Sequence, residues 1–294
     1  MTTPAARRLL LVHAHPDDET IGTGATMARY SAEGAAVSLV TCTLGEEGEV
    51  VVPALEHLAA SRDDTLGQFR IAELSAACAA LGVRDHRYLG APGRWRDSGM
   101  MGTPENERES CFWRADPVET TAALTTVLRE LRPHVVVTYD DNGGYGHPDH
   151  IQAHRVTVAA VDAAADPAYR PDLGPAWQTP KLYWTALPKS VLAEGIELMR
   201  RTDHDFFGVD SVDDLPFGTP DALVTTAVDG REFLAAKTAA MKAHATQIRT
   251  DGPFFALADG VGHNAFGVEY FTLARGDAVR DGDGHESDLF AGLG

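Results

Sequence analysis

The sequence predicts an α/β fold, and three observations support this prediction. Four apolar runs have the length of strands: RLLLVHA, AAVSLVTCT, HRYLG and HVVVTYD. Segments of helical period separate them, among them TLGQFRIAELSAACAALGV and VETTAALTTVLRELRP. The chain has 294 residues, 44% of them hydrophobic, and can therefore bury one sizeable core. Because strands that alternate with helices form parallel βαβ units, we expect a Rossmann-like, mostly parallel sheet with helices on both faces.

The later part of the chain predicts further elements. DPAYRPDLGPAWQTPK contains four prolines and is typical of a connection, and KLYWTAL after it has the pattern of a strand. In REFLAAKTAAMKAHATQI, Leu234, Met241 and Ile248 lie at helical spacing. The tail GDAVRDGDGHESD is acidic and glycine-rich, so we expect a loop or a frayed end. We therefore predict a Rossmann-like core over residues 1–180 and a smaller C-terminal lobe over 181–294, which packs on the core and helps to shape its pocket.

Charge and cysteine usage limit the classes of partner. The formal net charge of −18 means that the average surface repels phosphate backbones and anionic lipid heads, so we expect neither nucleic acid nor a membrane as partner. The remaining class of partner is a small-molecule substrate. No apolar run approaches the length of a signal peptide or a membrane span. The three cysteines, Cys42, Cys78 and Cys111, are widely spaced and odd in number, which favours a cytoplasmic location. No pattern predicts the oligomeric state.

Two short stretches concentrate the histidines. HAHPDDET follows the first predicted strand, DNGGYGHPDH follows the fourth, and ligands of such sheets bind beyond the carboxyl ends of the strands. A catalytic zinc usually takes three ligands from His, Asp or Glu and leaves one position for water. His15 and Asp18 can face one ion from the first turn, and His150 can close the site from the second. We expect His13 and His154 to pack around these ligands. Each histidine taken singly could instead be a core or capping imidazole.

The two stretches also resemble a known family. AHPDDE and GGYGHPDH are similar to the signatures of zinc-dependent deacetylases that act on N-acetylglucosaminyl groups, including the N-acetylglucosaminyl-phosphatidylinositol deacetylase. TCTLGEEGE, GRWRDSGM and AKTAAMKAHATQI resemble the branch that acts on N-acetylglucosaminyl-inositol in mycothiol biosynthesis. Residues 190–225 add no resemblance. The family implies hydrolysis of an acetamide, with release of acetate, a sugar-inositol substrate and one zinc per chain, although an open His/Asp site can also hold ferrous iron.

The resemblance assigns roles to the residues beside the ligands. It implies that Asp17 is the general base that deprotonates the attacking water and does not bind the metal. A nearby donor stabilises the oxyanion, and the candidates are His147 and the Tyr145 hydroxyl. Asp149 is placed in sequence to orient an imidazole from outside the ligand shell. As alternatives, Asp149 could be an ordinary acid at a helix N-terminus, and Pro16 followed by acids could simply begin a helix.

Substrate contacts are expected from three further residues. Arg70 lies in the apolar stripe of its predicted helix, and a buried arginine needs a partner. It either pairs with a structural carboxylate or lines a polar ligand site, and Asp97 in GRWRDSGM is the partner or a second ligand contact. The resemblance implies that Arg70 and Asp97 hold hydroxyls of the sugar-inositol. Glu49 is a weaker candidate for the same pocket.

Other classes of function explain the motifs less well. A dinucleotide-binding oxidoreductase needs GxGxxG in the first turn, where this chain has HPDDE. Two histidines and one carboxylate also describe non-haem iron oxygenases, but the adjacent free Asp17 suits hydrolysis better and also argues against a metal-binding module without catalysis. Within the family, the alternatives are a mycothiol S-conjugate amidase and another N-acetyl-sugar deacetylase.

Overall fold

The computed structural model describes residues 7–201, 209, 211–215, 217–249, 267–279 and 284–293. Within these ranges the chain forms an α/β fold, as the sequence predicts. The strands are β1 Arg8–His13, β2 Ala36–Thr41, β3 Asp85–Tyr88, β4 Val135–Thr138, β5 Lys181–Ala186, β6 Thr226–Asp229 and β7 Val268–Arg275. The helices are α1 Asp18–Ala32, α2 Leu66–Ala80, α3 Pro117–Leu131, α4 Pro148–Ala165, α5 Lys189–Arg201 and α6 Leu234–Ala243.

The seven strands form one sheet in the order β3-β2-β1-β4-β5-β7-β6. The first five are parallel, whereas β7 runs antiparallel to both β5 and β6. The chain leaves β1 toward β2 and β3, then returns to place β4 on the other side of β1. This reversal puts the carboxyl ends of β1 and β4 side by side, with Leu11 opposite Val137, at the place where such sheets bind ligands.

Both faces of the sheet are covered, because successive strand residues point to opposite sides. Leu9 and Leu11 of β1 pack with residues of α1, α2 and α6, while Leu10 and Val12 pack with residues of α3 and α4. Burial on both sides explains why β1 is a continuous apolar run rather than an alternating one. The prediction of a mostly parallel sheet between two helical layers is confirmed.

The chain beyond residue 180 contributes three strands to this same sheet. The division into a core and a smaller lobe stays a prediction. One helix is shorter than predicted: a 3-10 turn over Arg231–Phe233 precedes α6, and α6 ends at Ala243 rather than continuing to Ile248. The reason is tertiary, since the polar residues that follow Ala243 are bound by buried carboxylates of other elements. No helix within the described ranges is long and apolar enough to cross a membrane.

Candidate metal centre and active site

The two histidine-containing stretches meet at the junction of β1 and β4, and each leads into a helix. The first turn ends where α1 begins at Asp18, and the second ends where α4 begins at Pro148. His147 is the N-cap residue of α4, and its Nδ1 accepts from the Asp149 N–H at 3.1 Å. Both loops therefore present their side chains from the positive ends of helices, which favour negative charge.

The three predicted metal ligands lie together. Asp18 Oδ2 is 3.4 Å from His15 Nδ1 and 3.4 Å from His150 Nε2. Two ligands of one zinc ion, at bonds of about 2.0–2.2 Å in tetrahedral geometry, are separated by about 3.3–3.6 Å. The Nε2 atom of His150 is buried and has no hydrogen-bond partner in the part of the chain that the structure describes. An unpartnered buried imidazole nitrogen facing a carboxylate is the arrangement that a divalent metal would complete, so these residues fit one.

A second set of donors surrounds the same point. One ligand atom each from His15, His147 and His150 lies within 4.8 Å of the others, and the same holds for His15, Asp97 and Asp149. His147 commits its Nδ1 to α4, which leaves only Nε2 to face the site. His15 belongs to both groups and is the centre of the cluster.

His15 is held by carboxylates on both sides of its ring. Its backbone N–H donates to Asp18 Oδ2 at 2.8 Å, and its Nε2 lies 3.1 Å from Asp149 Oδ2. Asp149 is fully buried and also accepts from the backbone N–H of Ser98 at 2.9 Å and from the Ser98 hydroxyl. Asp149 therefore contacts the imidazole of His15, as we predicted from the sequence. Because this contact uses Nε2, the Nδ1 atom of His15 can face the ion site.

Electrostatics separates the three histidines. Burial lowers the pKa of His15, but Asp97, Asp149 and Asp18 outweigh it and raise that pKa well above its usual value. Burial, against the opposing charge of Asp18, lowers the pKa of His150 to about 4. Burial, together with His15 and His150, lowers the pKa of His147 to about 3. His147 and His150 are therefore neutral near pH 7, the form in which an imidazole binds metal or donates a single N–H.

Asp17 is adjacent to this cluster and is not used as a helix cap. It occupies the N-cap position of α1, yet its side chain makes no capping hydrogen bond. Instead Asp17 Oδ2 lies 3.1 Å from Arg70 NH2. Its backbone has φ 114°, which is unusual for a residue other than glycine and is often found at functional sites. Burial raises the pKa of Asp17 to about 6, although Arg70 acts against the shift.

Arg70 therefore has a carboxylate partner, which is Asp17 and not Asp97. The guanidinium is buried and also donates to Gly45 O at 2.8 Å and to Pro16 O. Asp97 is buried elsewhere: its Oδ1 lies 3.6 Å from His15 Nε2 and accepts from Gly99 N at 2.8 Å. The long GRWRDSGM loop turns Asp97 toward the histidines, which spacing along the chain could not show.

The remaining predicted residues lie outside the cluster of candidate ligands, some exposed and some buried. Tyr145 is 41% exposed, and its ring centroid is 4.9 Å from that of His150. Glu49 is exposed on the loop after β2. His13 and His154 lie outside the metal cluster: His13 contacts the hydroxyls of Tyr139 and Thr23, and His154 Nδ1 lies 2.9 Å from Tyr139 O.

Sequence reasoning missed Tyr139. Its hydroxyl donates to Asp18 Oδ2 at 2.8 Å, accepts from Ala14 N at 3.0 Å, and lies 3.0 Å from His13 Nδ1. Tyr139, which follows β4, thus contacts both Ala14 at the end of β1 and the predicted metal ligand Asp18. One available signal was its position directly after the apolar run of β4, at the same sheet edge as the histidines.

A doubly covered, mostly parallel sheet with a buried His/Asp cluster at its switch point, and a further carboxylate beside that cluster, has the parts that a metal-dependent hydrolase needs. The sequence model of the PIG-L family, described as GlcNAc-PI de-N-acetylase, matches residues 10–161, more than half of the chain. The chain belongs to this family.

Full-length relatives support the same assignment. The chain is 64% identical over 293 residues, 99% of each chain, to the 1D-myo-inositol 2-acetamido-2-deoxy-alpha-D-glucopyranoside deacetylase of Geodermatophilus obscurus. Among solved structures it resembles the N,N'-diacetylchitobiose deacetylase of Pyrococcus horikoshii, with TM-score 0.61, 20% identity, and coverage of 91% of this chain and 84% of that one. It also resembles the 4-carboxy-2-hydroxymuconate hydratase GalB of Pseudomonas putida, with TM-score 0.62, 21% identity, and coverage of 94% and 99%. These structural likenesses show the fold alone, since one fold carries both deacetylase and hydratase activities.

Proposed function

We propose that the protein hydrolyses the acetamide of N-acetylglucosaminyl-inositol and releases acetate and glucosaminyl-inositol, a step of mycothiol biosynthesis. The single observation that carries the substrate assignment is the 64% identity, over 99% of the chain, to a protein named for deacetylation of this compound. The site agrees with it in chemistry, because it combines a candidate divalent-metal centre with a further, half-buried carboxylate, Asp17, which is paired with Arg70 beside that centre.

His15, Asp18 and His150 would hold the metal, which we propose to be one zinc per chain, with ferrous iron as the alternative. Two imidazoles and one carboxylate leave a coordination position open, as in catalytic zinc sites. When bound, a divalent metal at this place supplies Lewis-acid polarisation of the acetamide carbonyl and makes water a better nucleophile near neutral pH. Asp149 orients His15 through the 3.1 Å contact and so fixes which nitrogen faces the ion.

Asp17 acts as the general base. It takes one proton from the attacking water as the oxygen adds to the acetamide carbon, and it returns this proton to the sugar nitrogen as the C–N bond breaks. Arg70 fixes the carboxylate through its 3.1 Å ion pair, so Asp17 needs little reorganisation when it acts. Positioned proton transfer of this kind typically contributes about 10²–10⁴-fold in rate.

His147 donates to the oxyanion. Since its Nδ1 accepts from the Asp149 N–H, the neutral ring carries its proton on Nε2. The 4.6 Å distance between the ring centroids of His147 and His15 supports a role for this donor beside the predicted metal position. The Tyr145 hydroxyl, more exposed and on the same loop, is the second candidate donor.

We also propose that Arg70, Asp97 and Glu49 contribute to recognition of the sugar-inositol, and that the chain after residue 180 helps to shape the pocket. The resemblance to the mycothiol branch of the family supports these roles. The proposal includes a cytoplasmic protein with a small-molecule substrate and with neither nucleic acid nor a membrane as partner.

The decisive experiment compares substrates. Purified protein is incubated with N-acetylglucosaminyl-inositol, with a mycothiol S-conjugate and with N-acetylglucosamine, and release of free amine is measured for each. We expect the highest kcat/KM on N-acetylglucosaminyl-inositol. Preference for the S-conjugate would make the protein an amidase of the same family, and preference for plain N-acetylglucosamine would remove the inositol from the proposal.

A further inference from the structure

The segment directly after α6 packs underneath the turn that carries Asp17. His244 is completely buried, and its Nε2 lies 2.8 Å from Glu19 Oε1 in the first turn of α1. Two residues further on, the backbone N–H and hydroxyl of Thr246 donate to the buried Glu73 of α2 at 2.8 and 2.7 Å. This segment is therefore fixed to both helices that border the site.

Glu19 connects His244 to Asp17. While its Oε1 faces His244, its Oε2 accepts the backbone N–H of Asp17 at 2.9 Å. Glu19 is fully buried, so each of these contacts replaces one that water would otherwise make. The result is a continuous hydrogen-bonded path from the C-terminal part of the chain to the backbone of the proposed base.

The backbone of Asp17 has an unfavourable conformation that other residues must stabilise. Asp17 has φ 114°, a conformation that favours glycine, and such conformations persist where the surrounding structure fixes them. Arg70 holds the side chain of Asp17, whereas Glu19 holds its N–H. The direction of the Asp17 carboxylate depends on both anchors, because rotation at φ would carry the side chain away from the cluster.

We propose that His244 is a positioning residue: through Glu19 it fixes the backbone of Asp17, and thereby the direction of the base. The inference rests on the proposed function, in which Asp17 transfers the proton. His244 lies in the segment AHATQ, outside both metal motifs, so this segment would contribute to the reaction by positioning the base. Neither His244 nor Glu19 touches substrate in this account.

The test begins with two variants at His244, one that removes the N–H donor and one that keeps it. His244→Phe removes the donor to Glu19, and we expect kcat to fall about 10–100-fold, as for residues that orient ligands from outside, with KM and metal content nearly unchanged. His244→Gln keeps an N–H donor at the place of Nε2, and we expect activity within about threefold of the parent protein. If both variants keep full kcat, the inference is wrong.

Glu19→Met is an independent variant, which carries the test if His244→Phe does not fold. Methionine has a size similar to that of glutamate but no carboxylate oxygen, so it removes the acceptor for both His244 and the Asp17 N–H. We expect a loss of kcat at least as large as that of His244→Phe. Unchanged kcat in folded Glu19→Met would overturn the path through this carboxylate.

Lys237→Met is the matched control. Lys237 of α6 binds Glu269 at 2.7 Å, and Glu269 accepts from Ala25 N and Thr26 N of α1, so this pair also ties α6 to α1. The pair is not part of the hydrogen-bonded path that runs from His244 through Glu19 to the Asp17 N–H. We expect a lower Tm and an unchanged kcat; if Lys237→Met lowers kcat as much as His244→Phe, the effect of His244 is general loosening and the inference fails.

A double mutant separates the inference from the proposed function. If His244 acts through Asp17, adding His244→Phe to Asp17→Asn should lower the residual activity less than twofold. A further 10–100-fold loss in this background would show that His244 acts elsewhere. Near-normal activity of Asp17→Asn alone would instead overturn the role of Asp17 in the proposed function, whatever His244 does.

Discussion

Two clusters of buried polar side chains lie at opposite ends of the sheet, and they differ in how completely their groups are paired. The first, which we call the tail network, consists of Lys181, Tyr183, Thr226 and Glu286. Glu286 binds Lys181 Nζ at 2.6 Å, the Tyr183 hydroxyl at 2.7 Å and the Thr226 hydroxyl at 2.9 Å. One buried cation meets one buried anion, and the carboxylate oxygens are saturated with donors.

The second, the site cluster, is the group of histidines and aspartates at the carboxyl ends of β1 and β4. Four buried or half-buried carboxylates meet there: Asp17, Asp18, Asp97 and Asp149. Arg70 pairs with Asp17, whereas His150 Nε2 has no hydrogen-bond partner within the described ranges. Incomplete pairing in a buried cluster is costly, so it persists where a ligand or a reaction uses it. The comparison teaches that the tail network pairs its buried groups within the fold, whereas the site cluster leaves a buried imidazole nitrogen unpaired at the place where we propose that a metal binds.

The largest effect should come from removing a predicted ligand. His150→Ala or Asp18→Ala should abolish metal binding, measured as bound metal per chain. Activity should fall at least about 1000-fold, because the metal lowers the activation barrier by several kcal/mol. Chelation of the parent protein should do the same and be reversed by added zinc. Full metal occupancy in both variants would contradict the ligand set.

Next in size is Asp17→Asn. It removes a base without removing a ligand, so we expect about 10²–10⁴-fold lower kcat with metal content retained. A role as an ordinary helix N-terminal residue predicts nearly normal turnover. Metal analysis and kinetics on the same preparation distinguish the two, and normal turnover at full occupancy would exclude Asp17 as the base.

Asp149→Asn should have a smaller effect. Its contact to His15 Nε2 orients a ligand from outside, and loss of such contacts typically costs about 10–100-fold in metal affinity or activity. Titration with a competing chelator measures the metal affinity. Unchanged affinity and unchanged kcat would show that Asp149 only begins α4.

Arg70→Ala tests the residue that joins substrate and base. Loss of its ion pair with Asp17 should lower activity on N-acetylglucosamine about tenfold. If Arg70 also holds inositol hydroxyls, the activity on N-acetylglucosaminyl-inositol should fall by a larger factor. We expect this larger loss on the inositol substrate. An equal factor on both, with an unchanged Tm, would leave Arg70 as a partner of Asp17 alone.

The smallest effect on catalysis should come from the tail network. Lys181→Met leaves Glu286 buried without its cation, so we expect the free energy of unfolding to fall by about 3–5 kcal/mol while kcat is unchanged. Denaturant unfolding and kinetics at a temperature where the variant is folded provide the two measurements. A lower kcat would contradict the separation of the two clusters.

Periodicity and turn chemistry are local, and the elements that depend on them could be read from the sequence. The strands β1, β2 and β4 were visible as short apolar runs, because burial on both faces leaves no polar alternation. The edge strand β3 is half-buried and mostly polar, and it was visible only as the short run HRYLG. The two metal motifs were visible because neighbours in sequence supply most of each cluster: His15 and Asp18 share one turn, and His147 and His150 share another.

Contacts between distant segments were decided by tertiary structure. The sequence predicted a loop or a frayed end over the acidic tail, and its described residues form no helix or strand. What the sequence did not show is that Glu286 is buried there, since the positions of β5 and β6 bring Lys181 and Thr226 to it. It predicted that α6 continues past Ala243, but Glu19, 225 positions away from His244, binds the residue where the helix stops.

The sequence by itself thus determined the fold class, the two strand ends that carry the chemistry and the residue types assembled there. Only the tertiary structure decided which carboxylate meets which cation: Arg70 binds Asp17 rather than Asp97, and Tyr139 reaches Asp18. The physical reason is that amphipathic period and turn preference act over a few residues. The partner of a buried charge, in contrast, is set by strand order and helix packing across the whole chain.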